Sequence, residues 1–128
     1  MRPLVEYPDA EFEVAKYLRG LLSVPVYTQV PGERPEEFVT LRRLGGGSDS
    51  LITERPRIDF RCWGPTKERA SDLSRRVSAH IRGMRGRLKD PTVYRVSDVG
   101  GTQWLPDSNS GQPCYAQAFE IRFRGRAL

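Results

Sequence analysis

The chain has 128 residues, of which 38% are apolar and 29% are charged; this length and balance are typical of one folded soluble domain and argue against a disordered polar segment. Its formal net charge is +5, and arginine supplies 18 of its 21 basic side chains. No stretch resembles a signal peptide or approaches the roughly 18 apolar residues of a membrane helix, so we expect a cytosolic protein without membrane contact.

Cysteine and histidine content limits metal chemistry. Cys62 and Cys114 are the two cysteines, and in a reducing compartment we predict buried thiols rather than a disulfide. Because His80 is the single histidine, a Cys/His zinc site lacks ligands. We predict no metal and no cofactor. The basic balance permits contact with nucleic acid or an acidic partner, and it is equally compatible with arginines that have no specific partner.

The first predicted element is a helix over residues 9–20. Asp9 is suited to cap its N-terminus, and Gly20 to end it. Its apolar side chains recur at helical spacing on one face: Ala10, Val14, Leu18 and Leu21.

Three strands are predicted next, over residues 24–30, 37–44 and 55–63. The third alternates, with Ile58, Phe60 and Cys62 on one side and Arg57, Asp59 and Arg61 on the other. The glycine-rich segment 45–54 between the second and third strands is predicted as a flexible loop. It lacks the Lys-Ser/Thr ending of a phosphate-binding loop.

A second helix is predicted over residues 64–84, with Thr66 as its cap. Its apolar stripe recurs at three- and four-residue steps: Ala70, Leu73, Val77, Ile81 and Met84. Two strands follow, over residues 92–99 and 114–124. The last strand also alternates, with Tyr115, Phe119, Ile121 and Phe123 on one side and Ala116, Ala118, Glu120, Arg122 and Arg124 on the other.

The element order α-β-β-β-α-β-β predicts a single α+β domain over residues 1–128. We expect two layers, with a mixed or antiparallel sheet of about four to five strands and two helices on one face. The opposite face, here called the charged face, would carry Arg57, Asp59, Arg61, Glu120, Arg122 and Arg124. In a monomer, cross-strand ion pairs would stabilise the charged face in contact with water. In an assembly, the charged face would be a subunit contact or a channel wall.

The connection between the last two strands is unusually long. It is predicted to cover 14 residues, Gly100 to Pro113, and it places Trp104 and Leu105 among glycine, proline and polar residues. Connections of this length in a small domain usually have a function. Two interpretations stay open: Trp104 closes one end of the core, or it anchors an interface with another protein.

Motifs for catalysis are lacking. His80 borders the stripe of the second helix with no acid or nucleophile predicted beside it. The residues DSNSG at 107–111 begin like a calcium loop, but Gln112 and Ala118 stand where glycine and glutamate are required. We predict that the protein is not an enzyme and assign no catalytic residue. Because the charged face has few predicted aromatic rings, stacking on nucleic-acid bases is poorly supported. Contact with DNA phosphates stays open as an alternative, because it needs only positive charge.

Several ordered segments together resemble one known family. They are PDAEFEVAKYLRGLL (8–22), VPGERPEEFVTLRRLGGG (30–47), RPRIDFRCWG (55–64), TKERASDLSRRVSAHI (66–81) and GGTQWLPDSNSGQPCYAQAFEIRFRG (100–125). In this order they resemble the tail terminator, or tail completion, proteins of long-tailed siphophages, especially those of actinobacterial hosts. The likeness covers roughly residues 8–125.

The resemblance implies a structural virion protein with a mixed sheet and two helices. Such proteins form a ring, typically a hexamer, that caps the completed tail tube, stops its growth and joins it to the head-side connector. DNA passes through the lumen of the ring. The implied partners are further copies of the chain, the tail tube protein and the connector or stopper protein, in a particle assembled in the host cytoplasm.

On this interpretation, two sets of residues are candidates for contacts with neighbouring subunits or with the tube. They are Trp104, Leu105 and Asp107 in the long connection, and Arg57, Asp59, Arg61, Arg122 and Arg124 on the charged face. The glycine-rich segment 45–54 is a further candidate. Two alternatives stay open: another neck protein, such as a stopper or adaptor, and a small basic nucleic-acid-binding module.

Overall fold

The computed structural model describes residues 4–128, which form three helices and eight strands. In chain order the elements are β1 (Val5–Glu6), α1 (Ala10–Arg19), β2 (Val26–Tyr27), β3 (Phe38–Arg43), β4 (Thr53–Glu54), β5 (Arg57–Trp63), α2 (Lys67–Arg82), α3 (Met84–Arg87), β6 (Val93–Trp104), β7 (Cys114–Arg124) and β8 (Arg126–Ala127). The architecture is α+β with a mixed sheet, as the element order predicts.

Six strands form the main sheet. The path runs β2-β3-β5-β7, with β6 on the other side of β7, and only the β2–β3 pair is parallel. β4 pairs with the C-terminal end of β7, next to β5. Pro56 separates β4 from β5, because proline has no N–H for the ladder; its carbonyl still accepts from the Ile121 N–H at 3.0 Å. This interruption gives one more strand than predicted. β1 and β8 form a separate two-stranded ribbon.

Both predicted N-terminal caps are confirmed, although α2 begins at Lys67 rather than at residue 64. The Asp9 carboxylate accepts from the Phe12 N–H at 3.1 Å, and the Thr66 hydroxyl accepts from the Arg69 N–H at 3.2 Å. Leu21 was expected on the buried face of α1, but the helix ends at Arg19 and Leu21 is 44% exposed. α3 is an additional turn after α2, and Gly86 inside it has a φ of +94°.

The main core lies between the two long helices and one face of the sheet. Its central side chains come from α1 (Val14, Leu18), α2 (Leu73, Val77, Ile81), β5 (Ile58, Phe60) and β7 (Phe119, Ile121, Phe123). These are the apolar faces that the sequence periodicity predicts. Both helices therefore pack on one face of the sheet, and the charged residues of β5 and β7 lie on the other.

The opposite face carries a second, smaller cluster that the sequence analysis did not predict. Phe38, Trp63 and Cys114 are buried there, with Tyr27 packed against them. The expectation that this face has few aromatic rings was therefore wrong. The strand predicted over residues 24–30 is reduced to β2, and the chain after it turns across this cluster.

β6 continues beyond its predicted end. Its pairing with β7 breaks after Val99–Ala118 and resumes at Gln103–Ala116. Gly100 and Gly101 form the bulge, with φ values of +82° and +72° that other residues rarely adopt. The long connection therefore covers residues 105–113, and the prediction of a connection that starts at Gly100 was wrong.

The glycine-rich segment 45–54 is also more ordered than predicted. The Arg57 N–H donates to the Gly45 carbonyl at 3.3 Å, and the Arg55 N–H donates to the Gly47 carbonyl at 3.0 Å. β4 closes the segment against β7. Backbone hydrogen bonds extend the β3–β5 hairpin into a segment whose composition alone indicates a flexible loop.

Candidate interaction surfaces

Trp104 lies at the end of β6, opposite Tyr115 of β7. The two ring centroids are 5.1 Å apart, and the Lys67 ammonium lies 4.7 Å from the Trp104 ring. Trp104 and Leu105 are each 40% exposed. We call these four residues the Trp104 patch. The ring belongs to neither buried cluster, and it is held in place while part of its surface stays open to solvent.

The Trp104 patch lies on the helix side of the sheet. Tyr115 shares that side with Phe119 because side chains alternate along β7, and Lys67 is the first residue of α2. Trp104 therefore stands just beyond the N-terminal end of α2 and faces away from the charged face. The long connection begins here, with the Leu105 N–H donating to the Cys114 carbonyl at 2.9 Å.

Asp107 organises the connection from within. Its carboxylate accepts from the Ser110 hydroxyl at 2.5 Å and from the Ser110 N–H at 3.0 Å. The hydrogen bond from the Ser110 hydroxyl, followed by that from its N–H, lowers the pKa of Asp107. Arg34 also reaches this carboxylate at 3.4 Å. The sequence analysis assigned Asp107 to an interface; in the structure its carboxylate forms a turn and pairs with a neighbouring segment.

Phe38, Trp63 and Cys114, here called the aromatic cluster, are buried at one end of the charged face. The segment that contains Arg34 covers this cluster. Phe38 and Trp63 stack with centroids 5.4 Å apart and an interplanar angle of 7°. The Trp63 indole N–H donates to the Thr40 hydroxyl at 3.2 Å. Arg34 covers the Trp63 ring at 5.2 Å.

Beside this cluster the charged face has a recess of about 370 Å³. Its walls combine the segment after β2 with the sheet: Thr28, Val30, Arg34, Arg42, Asp59 and Trp63. Val30 is 46% exposed, so the rim of the recess is partly apolar, whereas its sides carry arginines paired with Asp59 and Asp107.

The middle of the charged face is an ion-pair group around Asp59. This residue is only 9% exposed. Its carboxylate lies 3.2 Å from the Arg61 guanidinium and 3.8 Å from that of Arg42, its cross-strand neighbour. The predicted clustering of charges on one face is confirmed here, and the carboxylate is already paired within the chain.

Arginines dominate the other end of the charged face. Arg122 pairs with Asp49 at 2.7 Å, and Arg55 pairs with Asp49 at 3.3 Å and with Glu120 at 3.7 Å. Arg57 and Arg124 are exposed on the same face, and neither forms an ion pair within residues 4–128.

The eight residues assigned to an interface from the sequence thus separate into three places. Trp104 and Leu105 lie in the Trp104 patch, Asp107 lies inside the connection, and the remaining five lie on the charged face. Sequence reasoning missed Trp63, although its odd-numbered position continues the alternation of Arg57, Asp59 and Arg61. It also missed Asp49, for which the glycine-rich composition around it gives no signal.

The cysteines are free thiols, as predicted, and both are buried. Burial raises the pKa of Cys62 far above its ordinary value and that of Cys114 to about 12. The two side chains point to opposite faces of the sheet, since Cys62 belongs to the main core and Cys114 to the aromatic cluster. They therefore remain protonated, packed thiols at neutral pH.

The single histidine takes part in the structure through its backbone. The Tyr17 hydroxyl donates to the His80 carbonyl at 2.8 Å and ties α1 to α2. Across the described residues 4–128, no three histidine, cysteine or acidic side chains come together as metal ligands. In the same part of the chain, no helix has the length and apolar character needed to cross a membrane. A scan against protein-family models and a search of curated proteins find no match for this chain.

Proposed function

We propose that this protein is a structural component of a long-tailed phage, and that it caps the tail tube as a tail terminator. Its ring, a hexamer on this proposal, stops tube growth and forms the joint to the head-side connector, at the tail–head junction of the virion. The sequence resemblance motivates the proposal, and the α+β fold with a mixed sheet is compatible with it. We assign no catalytic role to any residue.

The Trp104 patch is the observation that carries the proposal. Tryptophan is among the residues most enriched at the energetic centres of protein interfaces. Here the ring is 40% exposed and already restrained by Tyr115 and Lys67. A restrained side chain loses little conformational entropy when a partner covers it. The patch therefore suits an interface better than a solvated surface.

A closed ring needs two different surfaces on each subunit, because head-to-tail contacts join unlike patches. The Trp104 patch serves as one of them in this proposal. The recess beside Trp63 serves as the other, since it lies on the opposite side of the sheet. The Arg42 side chain in its wall, which is 60% exposed, suits an incoming aromatic ring through a cation–π contact.

Electron microscopy of the purified protein tests the proposal. We expect closed rings with a central opening for the wild type. Trp104→Ala should abolish the rings, while the separate subunits stay folded and still unfold cooperatively on heating. Tyr94→Ala is the matched control, because Tyr94 lies on the same strand and is 37% exposed.

Rings that persist in Trp104→Ala would remove the Trp104 patch from the interface. Wild-type particles of single-subunit size that bind duplex DNA, with an affinity that falls steeply as salt rises, would instead favour the small basic nucleic-acid-binding module. The arginine-rich end of the charged face is the feature that supports this second function.

A further inference from the structure

Three arginines from separate segments line one small cavity on the charged face. Arg55 precedes β5, Arg95 lies on β6 and Arg122 lies on β7; with Ser97 and Glu120 they enclose about 190 Å³. Pockets for drug-sized molecules are larger, at about 300–1,000 Å³. The cavity therefore fits a single small charged group rather than an organic ligand.

The strand pairing places two of these arginines directly opposite each other. Arg95 on β6 is the Cα partner of Arg122 on β7. Like charges at directly opposed positions destabilise a sheet. An anion between the two guanidiniums would turn this repulsion into attraction.

The acidic side chains near the cavity already form ion pairs with Arg55 and Arg122. Asp49 is shared by Arg122 and Arg55, and Glu120 is paired with Arg55. Arg95 is exposed and forms no ion pair with any residue from 4 to 128. Positive charge is therefore in excess around the cavity.

One donor in the cluster is both buried and unused. The Arg122 Nε–H has no hydrogen-bond partner, and it is the single such side-chain atom found among the described residues. A buried donor without an acceptor is energetically unfavourable, more so when it carries charge. The chain's own acceptors therefore leave the Arg122 guanidinium only partly satisfied.

We infer that the cavity between Arg55, Arg95 and Arg122 is a binding site for an oxyanion of the phosphate type. Guanidinium groups match the oxygen geometry of phosphate in paired hydrogen bonds. The oxygens would accept from the guanidinium groups of Arg95, Arg122 and Arg55 and from the Ser97 hydroxyl.

The phosphate group has two sources with the same chemistry. One is free inorganic phosphate, and the other is the backbone of a nucleic acid. Arg57 and Arg124 extend the basic surface beyond the cavity. The inference does not depend on the proposed tail function, because it concerns a cavity within one subunit.

Nuclear magnetic resonance of the arginine Nε–H groups tests the site directly. Inorganic phosphate is titrated at constant ionic strength, with chloride as the balancing anion. The Arg122 signal, identified by its loss in Arg122→Lys, should shift and saturate. Arg95→Gln should weaken binding roughly tenfold or more, as expected for the loss of a charge-assisted hydrogen bond.

Arg76→Gln is the matched control, because Arg76 is exposed on α2, away from the cavity, and the substitution removes the same charge. It should leave the phosphate affinity unchanged. An Arg122 signal that does not respond to phosphate would overturn the inference. Equal weakening by both substitutions would overturn it too, since only net charge would then matter.

A competition arm separates the two sources. Duplex DNA of arbitrary sequence is added to the phosphate-saturated protein. Displacement of phosphate, read at the Arg122 signal, would support the site and assign it to the nucleic-acid backbone. Retention of phosphate would support the site as one for a free small oxyanion.

Discussion

The two tryptophans of this chain have opposite environments, although both lie on strands near the same end of the sheet. Trp63 is 3% exposed, stacked on Phe38 and hydrogen-bonded to Thr40. Trp104 is 40% exposed and touches Tyr115 and Lys67. The first tryptophan therefore stabilises the fold, and the second leaves apolar area available for a partner.

Equilibrium unfolding in urea distinguishes these two roles, at a protein concentration low enough for every variant to be monomeric. Trp63→Ala should lower the free energy of unfolding by about 3–5 kcal/mol, because it empties a packed site. Trp104→Ala should lower it by only about 1 kcal/mol, the scale of one aromatic pair. A loss for Trp104→Ala as large as that for Trp63→Ala would show that Trp104 closes the core, and would contradict its assignment to an interface.

At the scale of elements, the segments with strong periodicity were predictable. α1, α2, β5 and β7 follow their apolar patterns, since each buries one side of its sequence against the main core. The aromatic cluster on the charged face was not predictable. The segment that covers it has no regular structure, and its path depends on tertiary contacts such as that between Arg34 and Asp107.

Glycines explain the two boundaries that the sequence misplaced. Gly100 and Gly101 looked like the end of β6, and the run from Gly45 looked like a flexible loop. In both places positive φ values let the strand bulge and then resume its pairing. Composition cannot distinguish a glycine that ends a strand from one that bulges it, because both need the same backbone freedom.

The tight course of the glycine-rich segment gives a test at this scale. Gly45 and Gly46 have similar φ values, +79° and +86°, but a Cβ added at Gly46 would lie 2.1 Å from the Arg55 carbonyl oxygen, whereas one at Gly45 meets nothing within 4 Å. Gly45→Ala should lower the unfolding free energy by about 1 kcal/mol. Gly46→Ala should lower it by about 3 kcal/mol.

Urea denaturation of the two glycine variants, with amide hydrogen exchange of residues 45–57, checks this prediction. Exchange should accelerate in the segment for Gly46→Ala and change little for Gly45→Ala. Equal unfolding free energies for the two variants would mean that the segment moves away from Arg55 without loss of stability, as a mobile loop does, and would contradict the prediction.

At the scale of the whole molecule, the sheet separates two kinds of surface. The side covered by the helices carries the Trp104 patch at one end. The other side carries the recess, the Asp59 ion pairs and the cavity between Arg55, Arg95 and Arg122. The sequence predicted which residues face each side, because alternation along β5 and β7 is unambiguous. It could not predict the recess, the phosphate-sized cavity or the unused Arg122 donor, since each depends on residues from three or more segments.

Light scattering over a concentration series at moderate salt tests the central claim, self-association through the Trp104 patch, most directly. The account predicts that the wild type approaches the mass of a hexamer of the 14.6 kDa chain, while Trp104→Ala stays at the mass of one chain under the same conditions. A wild type that keeps the monomer mass at every concentration, indistinguishable from Trp104→Ala, would contradict it.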